Sequence, residues 1–214
     1  MKKIATCLLV WGLSQGAWAL DNADQQRLNM LQQSWAHIQY QLPPDQRATA
    51  FEQLSSQASA FTRERPTTAE AWIWSGIVTS SWAGAQGGLG ALGKAKTAKA
   101  DLEKALTLDP RALQGSAYTS LAALYDRVPG WPIGFGDADK AEQLLKQALL
   151  INPDGIDSLY FWGDHLYRQK RYPEARAALL KALQATPRPG REIADSGRRH
   201  EINALLADID KKLY

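Results

Sequence analysis

Three histidines, His37, His165 and His200, are the first residues to weigh for chemistry, because imidazole can act as base, proton carrier or metal ligand. None has a second histidine or a cysteine at ligand spacing, so the sequence offers no metal centre. Asp164 and His165 are adjacent, and neighbours in sequence point in different directions on a helix. His165 therefore reads as an ordinary polar residue. No Gly-x-Ser-x-Gly elbow and no Walker loop is present. The glycines of Gln86-Gly87-Gly88-Leu89-Gly90 lack a strand before them and a Lys-Ser/Thr after them, so they read as loop flexibility and not as a phosphate cradle. Cys7 is the only cysteine. The expectation is a protein that is not an enzyme, with no catalytic residue, no metal and no cofactor.

Binding chemistry is better represented. The stretch Val128-Pro129-Gly130-Trp131-Pro132-Ile133-Gly134-Phe135-Gly136 holds two aromatics on a loop whose prolines and glycines fix its path. Trp131 and Phe135 offer rigid contact area at low entropic cost; alternatively, Trp131 folds back and plugs the end of a helix pair. Arg188, Arg191, Arg198 and Arg199 form a basic cluster. It has two readings, a structural ion-pair network with Asp137, Asp139 and Glu142, or a site for an anionic partner.

The elements that must position these residues show in a recurring pattern. Ala98, Leu102, Ala105 and Pro110 are spaced +4, +3 and +5, as are Ala141, Leu145, Ala148 and Pro153, and Ala175, Leu179, Ala182 and Pro187. The last two sets lie 34 residues apart. Upstream of the sets stand Trp72 with Gly76, Tyr118 with Ala122, and Leu159 with Gly163. Small residues at such positions let two antiparallel helices approach closely, and proline closes the second helix of each pair. Gly163 and Ala175, twelve residues apart, should face each other. This pattern resembles the tetratricopeptide repeat (TPR), a helix-turn-helix unit that buries its apolar stripe only by stacking on neighbours.

The predicted fold is all-α: a TPR-like solenoid of about three repeats, an N-terminal helical hairpin and a C-terminal capping helix. Residues 20–66 form the hairpin, with Leu28, Leu31, Trp35 and Ile38 on one helix face and Phe51, Leu54, Ala58 and Phe61 on the other. Residues 67–187 hold the repeats, at 69–112, 115–155 and 156–187, and residues 188–214 the cap. Thr68, Asp137 and Asp195 are the expected helix caps. Gly76 and Ala98 are 22 residues apart, ten more than the repeat allows, and the surplus is expected as an insertion at the turn. A second surplus falls on the Trp131 loop.

Repeat geometry assigns the first helix of each pair to the concave face. The candidate partner-binding residues there are Glu70, Ile73 and Ile77; Thr119, Asp126 and Arg127; and Asp157, Tyr160, Asp164, Tyr167 and Arg168. Trp131 and Phe135 join them from the loop. Tyr160 and Tyr167 alternatively serve only packing.

Residues 1–19 read as a cleaved signal peptide: Lys2 and Lys3, a short apolar run from Ile4 to Leu13, and Ala17-Trp18-Ala19 as the cleavage site. The run is too short to span a bilayer, so stable membrane insertion is not expected. The whole chain carries a net charge of +3. Removing Lys2 and Lys3 from the 25 basic residues nearly balances the 22 acidic ones, which argues against nucleic acid as a partner.

From Ala71 to Tyr214 the order of features is also similar to the T component associated with tripartite ATP-independent periplasmic (TRAP) transporters. The stretches that carry the likeness are Trp72 to Ser81, Leu124-Tyr125 with Pro129-Gly130, Gly136-Asp137 leading into Lys140-Ala141, and Arg198-Arg199 running to Leu213-Tyr214. That resemblance implies an exported protein working beside a periplasmic ligand-binding subunit, and assembly into homo-oligomers. Two expectations follow: a periplasmic scaffold binding a protein or peptide partner of the cell envelope, or a transporter accessory handling a small ligand.

Overall fold

The computed structural model describes residues 20–213. The predicted leader, with Cys7 and its cleavage site, and Tyr214 lie outside the described residues. Within them the chain is built of α-helices joined by short turns and one irregular loop. The helices are α1 (Asn22–Gln41), α2 (Pro44–Glu64), α3 (Ala69–Gln86), α4 (Gly88–Leu108), α5 (Ser116–Arg127), α6 (Ala138–Ile151), α7 (Ile156–Arg168), α8 (Tyr172–Leu183) and α9 (Glu192–Leu213). Among the described residues the only β pairing is an isolated bridge between Gly130 and Gly136.

The repeat register is borne out in the core. Ala98, Leu102, Ala105, Ala141, Leu145, Ala148, Ala175, Leu179 and Ala182 are each at most 1% exposed. Burying one such leucine stabilises the fold by about 1.5–3 kcal/mol. The glycines opposite them are sterically obligatory. A Cβ on Gly163 would lie 2.7 Å from Leu179 Cγ, and one on Gly76 would lie 2.6 Å from Leu102 Cγ. Gly76 and Gly163 thus perform the same close approach in two different repeats.

Caps follow the sequence in part. Asp137 Oδ1 accepts from Lys140 N at 3.0 Å and opens α6. Thr68 stands at the N-cap of α3, but its side chain makes no capping hydrogen bond. Asp195 is not the cap of α9. It lies within the first turn, where its carboxylate accepts from the backbone N–H of Arg188 at 2.8 Å.

The first surplus is not a loop. Its residues lengthen both helices, so that α3 runs to Gln86 and α4 starts at Gly88. Gly87 and Gly88, at φ 61° and 63°, make the whole turn, a conformation favourable only for glycine. The second surplus is an irregular loop, as expected. Phe135 is its anchor, set edge-on to Tyr125 with ring centroids 5.5 Å apart. Gly136 must be glycine, because a Cβ there would fall 1.9 Å from the Val128 carbonyl oxygen. Trp131 does not fold back; it is 90% exposed.

The stack curves until its ends meet. α1 packs on α9 as well as on α2 and α3. Tyr40 lies against α9 at Gly197, where a Cβ would come within 2.3 Å of the ring, and its hydroxyl donates to Glu201 at 3.3 Å. The N-terminal hairpin therefore closes the curve.

Candidate binding cavity

Closure turns the concave face into a cavity of about 970 Å³ that stays open to solvent on one side. Its walls come from most of the helices, and each contributes a different chemistry. α3 and α4, lengthened beyond the repeat, supply Trp74, Ile77, Ser80, Ser81, Ala91 and Leu92. Of these, Ala91 and Leu92 come from the Gly/Ala-rich surplus. α5 and the loop after it add Thr119, Leu124, Arg127, Val128 and Ile133. Leu113 and Gln114 reach the cavity from a short 3₁₀ turn, where both hold left-handed backbone at φ 46° and 55°. Such geometry costs of order 1–3 kcal/mol per residue and is found mostly at functional sites.

The opposite wall is charged. Asp157 on α7 receives Arg188 at 2.7 Å and Arg198 at 2.8 Å. Arg188 also meets Asp195, and Arg198 also meets Glu201, each at 2.5 Å. The partners predicted for this arginine cluster were Asp137, Asp139 and Glu142. The structure instead gives Asp195 and Glu201 on α9 itself and Asp157 on α7, which packs on α9. Arg199 turns away and donates to the carbonyl oxygens of Leu183 and Ala185. Burial opposes the charge on Asp157, but Arg198 and Arg188 outweigh it and hold the carboxyl well below the usual carboxylate range. Burial likewise opposes the charge on Arg198, and Asp157 overrides it and raises the group. The Arg198 guanidinium also stacks over Tyr160, 4.3 Å from the ring centroid.

Arg191 differs from its neighbours. Its Nε is buried without a hydrogen-bond partner, and no carboxylate pairs with it among the described residues. Its guanidinium sits 5.3 Å from the Trp74 ring centroid. Burial and the nearby Arg188 push Arg191 below the ordinary arginine value. Trp74 itself is 3% exposed, and its indole Nε1 also lacks a partner. Trp35 packs edge-on to Trp74 at 6.0 Å and donates its own indole N–H to Ser81 at 2.8 Å.

Of the candidate partner-binding residues, Ile77, Thr119, Arg127, Asp157 and Tyr160 line the cavity. Ile73 is fully buried in the core. Asp164 is buried between Arg127 and Arg168, at 3.0 and 3.2 Å. Tyr167 packs on Tyr172. Glu70, Arg168 and Trp131 lie away from the cavity, and Phe135 anchors its loop.

Asp126 has another task. Its side chain is 5% exposed, and both carboxylate oxygens stand 3.0 Å from Nδ1 of His165. A carboxylate only accepts, so Nδ1 carries the proton. His165, read from sequence as ordinary, is fully buried and stacks on Trp162 at 5.7 Å. Its Nε2 lies 3.5 Å from Glu142, close enough for charge attraction but without hydrogen-bond alignment. Burial opposes a charge on His165, yet Asp126 and then Glu142 outweigh it and raise its pKa above 6.5. Among the described residues no group of three or more His, Cys, Asp or Glu is placed to hold a metal ion, and no helix is long and apolar enough to cross a membrane.

The fold is thus a TPR-like helical solenoid whose interior forms a cavity. Tetratricopeptide repeat family models match residues 133–195 and 89–111. No curated protein sequence matches the chain. Among solved structures the chain is similar to TTC0263, a thermophilic TPR protein of Thermus thermophilus. The two are 20% identical, with 89% of this chain and 82% of that chain covered and a TM-score of 0.61.

Proposed function

We propose that this protein is an exported, non-enzymatic TPR adaptor of the periplasm that docks a protein partner at the mouth of its cavity. One observation carries the reading. Trp131 and Ile133, 90% and 70% exposed, stand on a loop braced by Phe135 and by hydrogen bonds from the N–H groups of Ile133 and Gly134 to Gly130. Ile133 belongs to the cavity lining, so the loop joins the outer surface to the interior. Large apolar side chains held out on a braced loop are the kind of anchors that dominate protein interfaces. TPR folds serve as scaffolds of this kind, and the leader-like residues 1–19 support export.

The test is photo-crosslinking from position 131 in cells producing the full chain, followed by osmotic-shock fractionation. The expected result is a discrete adduct in the shock fluid that disappears with Ile133→Asp. An adduct found only in the cytoplasm, or none above background, overturns the reading.

A second reading, an accessory that hands a small ligand to a TRAP-type binding protein, draws support from the cavity itself. Its size falls within the range of about 300–1,000 Å³ usual for small-molecule sites. Under this reading the adduct formed at position 131 is a periplasmic solute-binding subunit.

A further inference from the structure

The loop that carries Trp131 and Ile133 is tied at its base by more than its own backbone. It leaves α5 just after Asp126 and Arg127, and it re-enters helix at Asp137, about one and a half turns before Glu142 on α6. Its two stems are joined by the N–H of Asp137 donating to the Tyr125 carbonyl and the N–H of Gly136 donating to that of Pro129, each at 3.0 Å. A second tie runs through α7. Asp126 from one stem and Glu142 from the other meet on the same buried imidazole, His165, at 3.0 and 3.5 Å.

The two carboxylates address different nitrogens. Asp126 faces Nδ1 with both oxygens, and Glu142 faces Nε2 with Oε2. A neutral imidazole carries one N–H and one bare lone pair. Whichever nitrogen holds the proton, one carboxylate then faces a lone pair, and only the imidazolium satisfies both. Asp126 is the closer and takes the N–H of the neutral ring, while Nε2 is buried without a hydrogen-bond partner. A second proton completes the set. Nε2–H then donates to Glu142 and draws the 3.5 Å contact into a hydrogen bond.

The other charged groups around the ring leave that oxygen to it. Lys146 on α6 pairs with Glu142 Oε1 at 2.8 Å, and Arg171 at the start of α8 approaches the same oxygen at 3.5 Å. Glu174 on α8 engages Arg171 at 2.5 Å. Arg127 on α5 and Arg168 on α7 both turn to Asp164, at 3.0 and 3.2 Å. Burial opposes a charge on His165, and the two carboxylates overcome it.

We infer that His165 is a proton-operated clamp on the docking loop: neutral, it holds the α5 stem alone; charged, it holds both stems and stiffens the loop that presents Trp131 and Ile133. The clamp rests on the docking reading for its use, but its mechanics can be measured without a partner.

The experiment is amide hydrogen exchange at Gly136 and Asp137 from pH 5.5 to 9, normalised to the intrinsic rate at each pH, with the ring nitrogens of His165 followed by NMR. Nδ1 should stay protonated throughout, and Nε2 alone should titrate. Protection of the two amides should be about three- to tenfold greater below that titration than above it, the worth of a charged hydrogen bond to a partly exposed carboxylate. Glu142→Ala should remove the step. Lys146→Ala, which also breaks the Lys146 pair but keeps the carboxylate, should retain it. Melting curves of both variants show that the fold is kept. Equal protection on both sides of the titration overturns the clamp, as does a step of unchanged size in Glu142→Ala. A neutral ring protonated at Nε2, or a ring that does not titrate in this range, overturns it too. Crosslinking from position 131 in shock fluid held at pH 5.5 and at pH 8 reads the use, with at least threefold more adduct expected at pH 5.5. Equal adduct at both overturns the clamp's part in docking. No adduct at either, with the exchange step intact, overturns the docking reading and leaves the clamp standing.

Discussion

The first and third repeats make the same contact and build different walls. In α3–α4 Gly76 meets Ala98 and Leu102; in α7–α8 Gly163 meets Ala175 and Leu179. The contact survives although the first pair carries ten more residues between its small positions. The extra residues extend the hairpin past the point of closest approach and leave that point untouched. At 1.5 Å per residue, the 18 residues of α3 span about 27 Å and the 13 of α7 about 20 Å. The added length is Gly/Ala-rich and apolar, and it lines the cavity. The third repeat stays short, and its α7 brings Asp157, Asp164 and His165. A repeat can therefore be locked at one level and specialised at another.

The equivalence breaks or holds most visibly at the two glycines. Gly76→Leu and Gly163→Leu should each destabilise by about 3 kcal/mol, at the upper end for overpacking. Urea titration of both variants checks this, and a large inequality would show that the longer hairpin tolerates what the short one does not. The difference between the walls is tested next by Asp157→Asn, which leaves Arg188 and Arg198 without their shared anion. Breaking a fully buried pair costs about 3–5 kcal/mol. Asp157 is 33% exposed, so a loss of about 2–3 kcal/mol is expected in the same titration.

His165 sharpens the contrast through pH. Its folded pKa is raised, so its contribution is fully present below 6.5 and is lost as pH rises through the folded value. Below pH 6.5 the protein should gain about 1–2 kcal/mol that His165→Gln lacks, measured by melts across pH 5 to 9. The imidazole resonance of His165 should titrate with a midpoint above 6.5.

The turn of the long hairpin is a smaller lever: Gly87→Ala should destabilise by about 1 kcal/mol in the same urea titration, because its φ of 61° strains any side chain. Smallest of all, Trp131→Ser should change stability by less than about 0.5 kcal/mol, as befits an exposed side chain.

Much of this fold can be read in the chain because its cause is local. Ala98, Leu102 and Ala105 recur as Ala175, Leu179 and Ala182 for a steric reason that acts within one hairpin. The surplus between Trp82 and Gly93 misled because glycine lowers helix propensity. Packing of α3 on α4 overrides that weak preference, leaving only Gly87 and Gly88 in the turn. Asp126 and His165 are 39 residues apart, and their pairing has no signature in either segment. Concave-face assignment by register found Ile77, Thr119, Asp157 and Tyr160. It also named Ile73, because α3 is covered on more than one side by α2, α4 and α5. Trp35 and Tyr40 join the lining from α1, which packs on α9. That contact spans most of the chain and depends on the curvature summed over all repeats. The cluster of Arg188, Arg191, Arg198 and Arg199 was visible as charge, but its acidic counterparts were not.

The meeting of Tyr40 with Gly197 also bears on how the molecule comes apart. Repeat arrays are linear chains of nearest-neighbour couplings and loosen from their termini inward. Here the first and last helices hold each other, so neither is a terminus in the energetic sense. Amide protons in α1 and α9 should exchange together and slowly, as one cooperative unit, where an open array would shed them first.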